Sequence, residues 1–182
     1  MKDYDYIFLE RWVLSATPAE VYAALADLDL YTRWGYPAYF SARREGPIAA
    51  GSTGKIVVQG SLPYKVNIDC TILELEPERL ISLDVTGDVI GKKTWMIRPL
   101  GEGTELISDW RCDPSWMFFR ALTPVFKPLF RWNHGQCINM AVTGLAQYLH
   151  QQRERASAAT PLRRSRPAAR KRPTGERAAT AR

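Results

Sequence analysis

Residues 130–149 read FRWNHGQCINMAVTGLAQYL, and the spacing of their apolar members decides what kind of fold the chain adopts. Phe130, His134, Cys137, Ile138, Ala141, Leu145, Tyr148 and Leu149 recur every three or four positions, which stacks them on one face of an α-helix. Gln136, Asn139, Thr143 and Gln147 fall on another. A helix with one apolar stripe must bury it against a second layer. The sequence upstream says what that layer is. From Phe40 to Cys112 the helical period is absent. KIVVQG, KVNIDCTILELE, RLISLDVTG, KKTWMIRPL and TELISDWRC are bounded by Gly, Pro or Glu clusters and predict five strands, with SARRE as a weaker sixth. Connections such as EPE, GDVIG and GEG have hairpin length, so neighbouring strands should pair antiparallel.

Ahead of these runs, YIFLERWVL (residues 6–14) interleaves aromatic and β-branched types with polar ones, as a strand does. In SATPAEVYAALADL, Thr17 caps a helix, Pro18 suits its first turn and Glu20 completes a capping box. Asp27 or Asp29 can cap a second short helix through DLYTRWGY, ending near Gly35 and Pro37. The predicted class is therefore α+β: about seven antiparallel strands in a curved sheet wrapped around a long C-terminal helix, with two short helices after strand 1.

The approach to that last helix, DPSWMFFRALTPVFKPLFRWNHGQ (residues 113–136), is rich in large apolar residues. As a membrane span it fails, because Arg120, Lys127 and Arg131 interrupt it before about 18 apolar residues accumulate. Pro124 and Pro128 each lack a backbone N–H, so a break is expected over Thr123–Pro128, with a short apolar segment before it and the long helix after it.

The chain has 182 residues and a formal charge of +6. Residues 153–182 hold ten of the 25 Lys and Arg but two of the 19 Asp and Glu, leaving residues 1–152 at −2. Residues 1–152 read as one domain with a sizeable core, to which the resemblance described below adds a ligand-binding role. The Arg/Ala/Pro-rich segment 153–182 has one large apolar residue, Leu162, and reads as a disordered basic tail. Its clustered charge suits weak contact with an anionic membrane or nucleic acid, or no specific partner at all. Cys70, Cys112 and Cys137 are odd in number and lack metal-ligand spacing, and the N-terminal residues lack a signal-peptide pattern. A cytoplasmic location, no metal and no cofactor are the corresponding expectations. No GxSxG, HExxH or phosphate-cradling loop is present, which disfavours hydrolase, metalloprotease and kinase chemistry.

The order of elements resembles the helix-grip superfamily that includes START lipid-transfer domains, birch-pollen-allergen-like proteins and polyketide cyclases/dehydrases (SRPBCC). The resemblance rests on ATPAEVYAALADLDLYTRW, ILELEPERLISLDV, PLGEGTELISDW and FRWNHGQCINMAVTGLAQYL, in that order, over about residues 6–150. It implies an apolar cavity between sheet and long helix that holds a hydrophobic molecule such as a lipid, polyketide or quinone. Carriers, binding modules and cyclase/dehydrase enzymes share the fold, so it does not decide among them.

Candidate site residues follow from the elements. His134 shares the apolar helix face and is the candidate acid or base, against the plainer reading of a structural histidine. Phe119, Phe130 and Ile138 belong to the helical segment. Trp95 and Trp110 sit on neighbouring strands, and alternation puts Leu106, Ser108, Trp110 and Cys112 on one face with Glu105, Ile107, Asp109 and Arg111 on the other. Asp109 and Arg111 are expected to be a surface ion pair. TRWGYPAYF gathers Trp34, Tyr36, Tyr39 and Phe40 as a candidate pocket rim, with core packing slightly favoured for Trp34. If residues 119–130 formed one helix, Arg120, Lys127 and Arg131 would make a basic stripe suited to a membrane surface. Oligomeric state is not legible.

Overall fold

The computed structural model describes residues 4–115 and 117–159, with the backbone alone for 117–126 and 159. Seven strands form one sheet: β1 (Tyr6–Leu14), β2 (Tyr39–Glu45), β3 (Thr53–Val58), β4 (Val66–Glu76), β5 (Leu80–Gly87), β6 (Val89–Leu100) and β7 (Gly103–Pro114). Their order is β1-β7-β6-β5-β4-β3-β2, and every neighbouring pair is antiparallel. Short hairpins account for all pairings except β1 with β7. That one joins the first strand to the last, placing Glu10 opposite Ser108 and Phe8 opposite Trp110. The register shifts between Tyr39 and Ser41 and between Ile72 and Glu74, irregularities of the kind that bend a sheet.

Between β1 and β2 the chain crosses one end of the sheet as helix α1 (Pro18–Ala26), a 3-10 turn (Leu28–Leu30) and helix α2 (Tyr31–Gly35). The expected capping box is formed: Glu20 N–H donates to Thr17 Oγ1, and Thr17 N–H donates to the Glu20 carboxylate at 2.7 Å. Asp27 Oδ1 accepts from the Asp29 N–H and so caps the 3-10 turn. Trp34 Nε1 donates to the Ala24 carbonyl at 3.1 Å and the Tyr31 hydroxyl to the Leu25 carbonyl at 2.9 Å. These two bonds lock α2 onto α1. They also let a Trp and a Tyr be buried without stranding their polar atoms.

Helix α3 (Met117–Ala159) lies against the sheet. The face read from its spacing is the buried one: Cys137, Ile138, Ala141, Leu145 and Leu149 are buried, while Gln136, Asn139, Thr143 and Gln147 are exposed. One expectation fails here. The backbone is helical straight through Thr123–Pro128, because each proline removes only its own N–H from the ladder, and two such gaps four residues apart fall on the same side of the helix. Towards its C-terminus α3 runs on to Ala159. Arg153 explains the extension. Its guanidinium holds the Glu20 carboxylate at 2.9 Å and the Ser15 carbonyl at 2.8 Å. The glutamate that caps α1 thus also anchors the end of α3. Residues 160–182 of the basic segment lie outside the described residues.

α2 meets α3 at closest range where Gly144 faces the Trp34 carbonyl. A Cβ on Gly144 would lie 1.9 Å from that oxygen. Since the obstructing atom is backbone, there is no rotamer to yield, and the helices would have to separate. Gly144→Ala should destabilise the fold by roughly 2 kcal/mol or more despite alanine's better helix propensity. Urea denaturation checks this, and a variant as stable as the parent would show that the helices are not in that contact.

Candidate functional site

Beneath α3, on the sheet side, the side chains do not close up completely. Tyr39, Ile56, Val58, Ile68, Leu83, Val85, Trp95 and Trp110 from β2 to β7 and His134, Cys137 and Ile138 from α3 surround a cavity of about 110 Å³. Its walls are mostly apolar, and one charged side chain from the sheet, Lys93, reaches it. A second, open groove of about 430 Å³ runs between Leu14 at the end of β1 and Leu149 on α3. The groove is larger, but exposed residues such as Val13, Gln147 and His150 line it and it gathers no charged group from the sheet, so the pocket lined by core residues is the better candidate.

Lys93 belongs to a chain of polar groups that spans three strands and the helix. Its Nζ donates a short hydrogen bond to Ser108 Oγ, and Ser108 Oγ donates to Glu10 Oε2 at 3.3 Å. Glu10 Oε1 in turn lies 3.0 Å from Nε2 of His134. That last contact is close but off-line, leaving Nε2 buried without a well-aligned hydrogen bond. The imidazole also stacks on Phe8, with ring centroids 3.8 Å apart. Lys93 Nζ sits 4.0 Å from the centroid of the Trp95 ring, within reach of a cation–π contact.

The environment tunes these groups in opposite directions. Burial pulls the Lys93 ammonium down from 10.5 to about 8, against the opposing pull of Glu10. Lys93 is half-buried and its side chain is part of the cavity lining. For Glu10, burial works to raise the carboxyl. His134, the Lys93 charge and the Ser108 hydroxyl together outweigh it, and the pKa is lowered. The thiols of Cys70 and Cys137 on the cavity wall are pushed up to about 11 by burial, so they are thiols at neutral pH.

The sequence-based candidates separate into two groups. Tyr39, Trp95, Trp110, His134 and Ile138 line the cavity. Trp34 does not: at 3% exposure it is core, packed edge-on to Tyr39 and tilted against Tyr31. Tyr36 and Phe40 lie outside as well, 65% and 43% exposed, with Lys65 Nζ over the Phe40 ring. Phe130 packs edge-on against Tyr6, near the cavity but not on its wall. Phe119 is in α3, and its side chain lies outside the described residues. Asp109 and Arg111 pair at 2.9 Å on the far face of β7.

Glu10 and Lys93 were missed. Each sits in a run with apolar residues on both faces, so neither hydropathy nor alternation marks it as inward. A signal was nonetheless available: Glu10 shares its parity with Phe8 and Trp12, and Lys93 shares its parity with Trp95, whereas Lys92 pairs with Arg111 on the other face. Among the described residues no group of three or more His, Cys, Asp or Glu could hold a metal ion, and no helix is long and apolar enough to cross a membrane.

The family model for polyketide cyclase/dehydrase and lipid transport proteins matches residues 10–149. The chain belongs to that family and has its helix-grip fold. No curated protein matches it. Similar solved structures include a Thermus thermophilus protein, with a TM-score of 0.67 at 16% identity over 85% of this chain and 100% of that one. A Chromobacterium violaceum protein gives 0.59 at 20% identity, over 79% and 96% of the two chains. A Mycobacterium smegmatis protein gives 0.59 at 11% identity, over 84% and 96%. At these identities the likeness is one of fold.

The pKa of Lys93 has a consequence for stability. Its folded value, about 8, lies below that of an unfolded lysine, so the unfolded chain binds more protons between the two. Stability contributed at this site therefore rises as pH increases from 8 towards about 10.4 and is lowest below 8. In paired urea titrations at pH 7.5 and 10, the stability of the parent relative to Lys93→Met should increase by on the order of 2 kcal/mol at the higher pH. An unchanged difference would mean that Lys93 is solvated.

Proposed function

We propose that the protein binds a compact hydrophobic molecule bearing one carbonyl or phenolic oxygen inside the cavity under α3, acting as a carrier or binding module. The observation that carries this reading is an apolar enclosure with a single polar side, Lys93 and His134 facing Ile68, Leu83, Val85, Trp95 and Trp110. Burial of the ligand's apolar body against those walls supplies affinity, at roughly 25 cal/mol per Å² before the costs of association. The polar side fixes orientation. A volume of about 110 Å³ is small beside the roughly 300–1,000 Å³ of ordinary ligand sites, so a single ring or short acyl group enters first, and a larger lipid, polyketide or quinone requires α3 to yield. Three buried free cysteines suit a reducing, cytoplasmic setting.

Trp95 and Trp110 on the wall provide the readout. A panel of ring ketones, phenols, quinones and short acyl compounds should quench their fluorescence, and native mass spectrometry should detect the complexes. Ile138→Trp, which fills the cavity, should weaken binding about tenfold or more, on the order of 1.4 kcal/mol. If no compound binds, or if the filled variant binds as well as the parent, the cavity is not the site.

One further observation favours an enzyme of the cyclase/dehydrase kind as the second reading. His134 lies 3.0 Å from a carboxylate that can orient its ring, as a general acid or base requires. With a cyclising or dehydrating substrate, His134→Gln should then lower turnover by about 100-fold or more with little change in ligand affinity. Unchanged turnover removes that role. Membrane delivery is a separate matter: the unbroken α3 puts Arg120, Lys127 and Arg131 on one helix, and flotation with anionic liposomes, with and without residues 160–182, tests contact through the stripe and the tail.

A further inference from the structure

The polar side of the cavity is close to electrically balanced. Lys93 and Glu10 carry opposite charges and are joined through the Ser108 hydroxyl. An anionic ligand head placed on Lys93 would bring a second negative charge beside Glu10 with nothing left to neutralise it, which a water-poor enclosure penalises heavily. A neutral carbonyl adds no charge. It also presents an electrophilic carbon to the one amine on the cavity wall. We propose that Lys93 is the nucleophile of a covalent site, capturing hydrophobic aldehydes or ketones as an imine, with the Ser108–Glu10–His134 chain moving the protons. The proposal rests on the cavity-binding reading above and adds bond formation to it.

The placement of the groups supplies what each stage needs. Nζ loses a proton to the Ser108 hydroxyl, which hands one of its own to Glu10 Oε2 across 3.3 Å. The freed lone pair attacks the carbonyl carbon. A C–N bond forms, the C=O π electrons move to oxygen, and that oxygen takes the proton shed by the now positively charged nitrogen, giving a neutral carbinolamine with one N–H left. In the second stage the carbinolamine loses this oxygen as water, taking up a further proton from His134 or Glu10, while the nitrogen gives up its remaining N–H proton and a C=N bond closes. The sum is amine plus carbonyl giving imine plus water, with no change of oxidation state and no other reactant. An apolar enclosure favours the products by keeping bulk water from the imine. The lowered ammonium pKa, about 8, assists by leaving on the order of a tenth of the amine neutral near pH 7, far more than for a solvated lysine. Its neighbour Lys92 points to the other face of β6, where it stands opposite Arg111, and provides an internal control.

The test uses the full chain with benzaldehyde as the probe and benzyl alcohol as the isostere that cannot form an imine. After reduction with sodium cyanoborohydride, intact-mass measurement should show a single benzyl adduct, and peptide mapping should place it on Lys93 and not on Lys92. Lys93→Arg and Lys93→Met should abolish the adduct while remaining folded by thermal melt. Glu10→Gln should slow trapping about tenfold or more, and benzyl alcohol should compete. Labelling spread over surface lysines, or equal labelling of the parent and Lys93→Met, overturns the proposal. If benzyl alcohol quenches the cavity tryptophans but benzaldehyde gives no adduct, covalent capture is wrong and the binding site stands. If neither compound enters, both readings fall.

Discussion

The rest of this structure depends on how one long helix is fastened across the sheet, packed closely at some points and standing over a space at another. Contact is made at the C-terminal half of α3, where Ala141, Leu145 and Leu149 are buried, Gly144 lets the helix backbone meet the Trp34 carbonyl, and Arg153 grips Glu20. Nearer its other end α3 touches β1, through His134 on Phe8 and Phe130 on Tyr6, and roofs a space over the strands beyond. The cavity is thus a product of where the helix is fastened. Packing at one end holds the roof in place, so the walls at the other end need not be complementary to it.

Into that space the sheet places groups that a protein core ordinarily excludes. A buried lysine weakens the fold, and a neighbouring carboxylate offsets only part of the cost. The arrangement is better explained by use than by stability, because an apolar residue at 93 would pack against Trp95 with no charge to desolvate. Ser108 is the inconspicuous member of the set. Fully buried on β7, it connects an amine on one neighbouring strand to a carboxylate on the other, and neither charged group would be held as firmly by a plain apolar residue there.

Much of the fold was legible because periodicity is a local property. The alternation of YIFLERWVL, the Thr17–Glu20 box and the stripe from Phe130 to Leu149 each announce an element from a short contiguous stretch, and the hairpin connections fix most of the strand order. The proline reading went astray since two missing N–H groups weaken a helix without requiring its end. The site was legible only in part. Trp95, Trp110, His134 and Ile138 could be found from parity and face. Trp34, Tyr36 and Phe40 could not be sorted from Tyr39, because a Gly-Tyr-Pro turn carries no period from which to read direction. Glu10 and Lys93 depend on which face of a doubly apolar strand turns inward, and that is settled by the pairing of β7 with β1 and with β6, not by any strand alone.

The same pairing governs the order in which the molecule can come together. Glu10, Lys93, Ser108 and His134 lie on four elements, and the bond from Ser108 to Glu10 joins residues 98 positions apart. Hairpins can zip up early from neighbouring strands, but contacts between distant parts of a chain wait for the loop between them to close. The polar chain therefore needs the sheet to have accepted its first strand beside its final one, and α3 to be in place over it. A chain caught part-way would have strands, helices and much of its apolar core yet no working lysine. Occupancy of the cavity then reports completed folding, and a ligand bound there would draw its stabilising effect from the slowest contacts in the molecule.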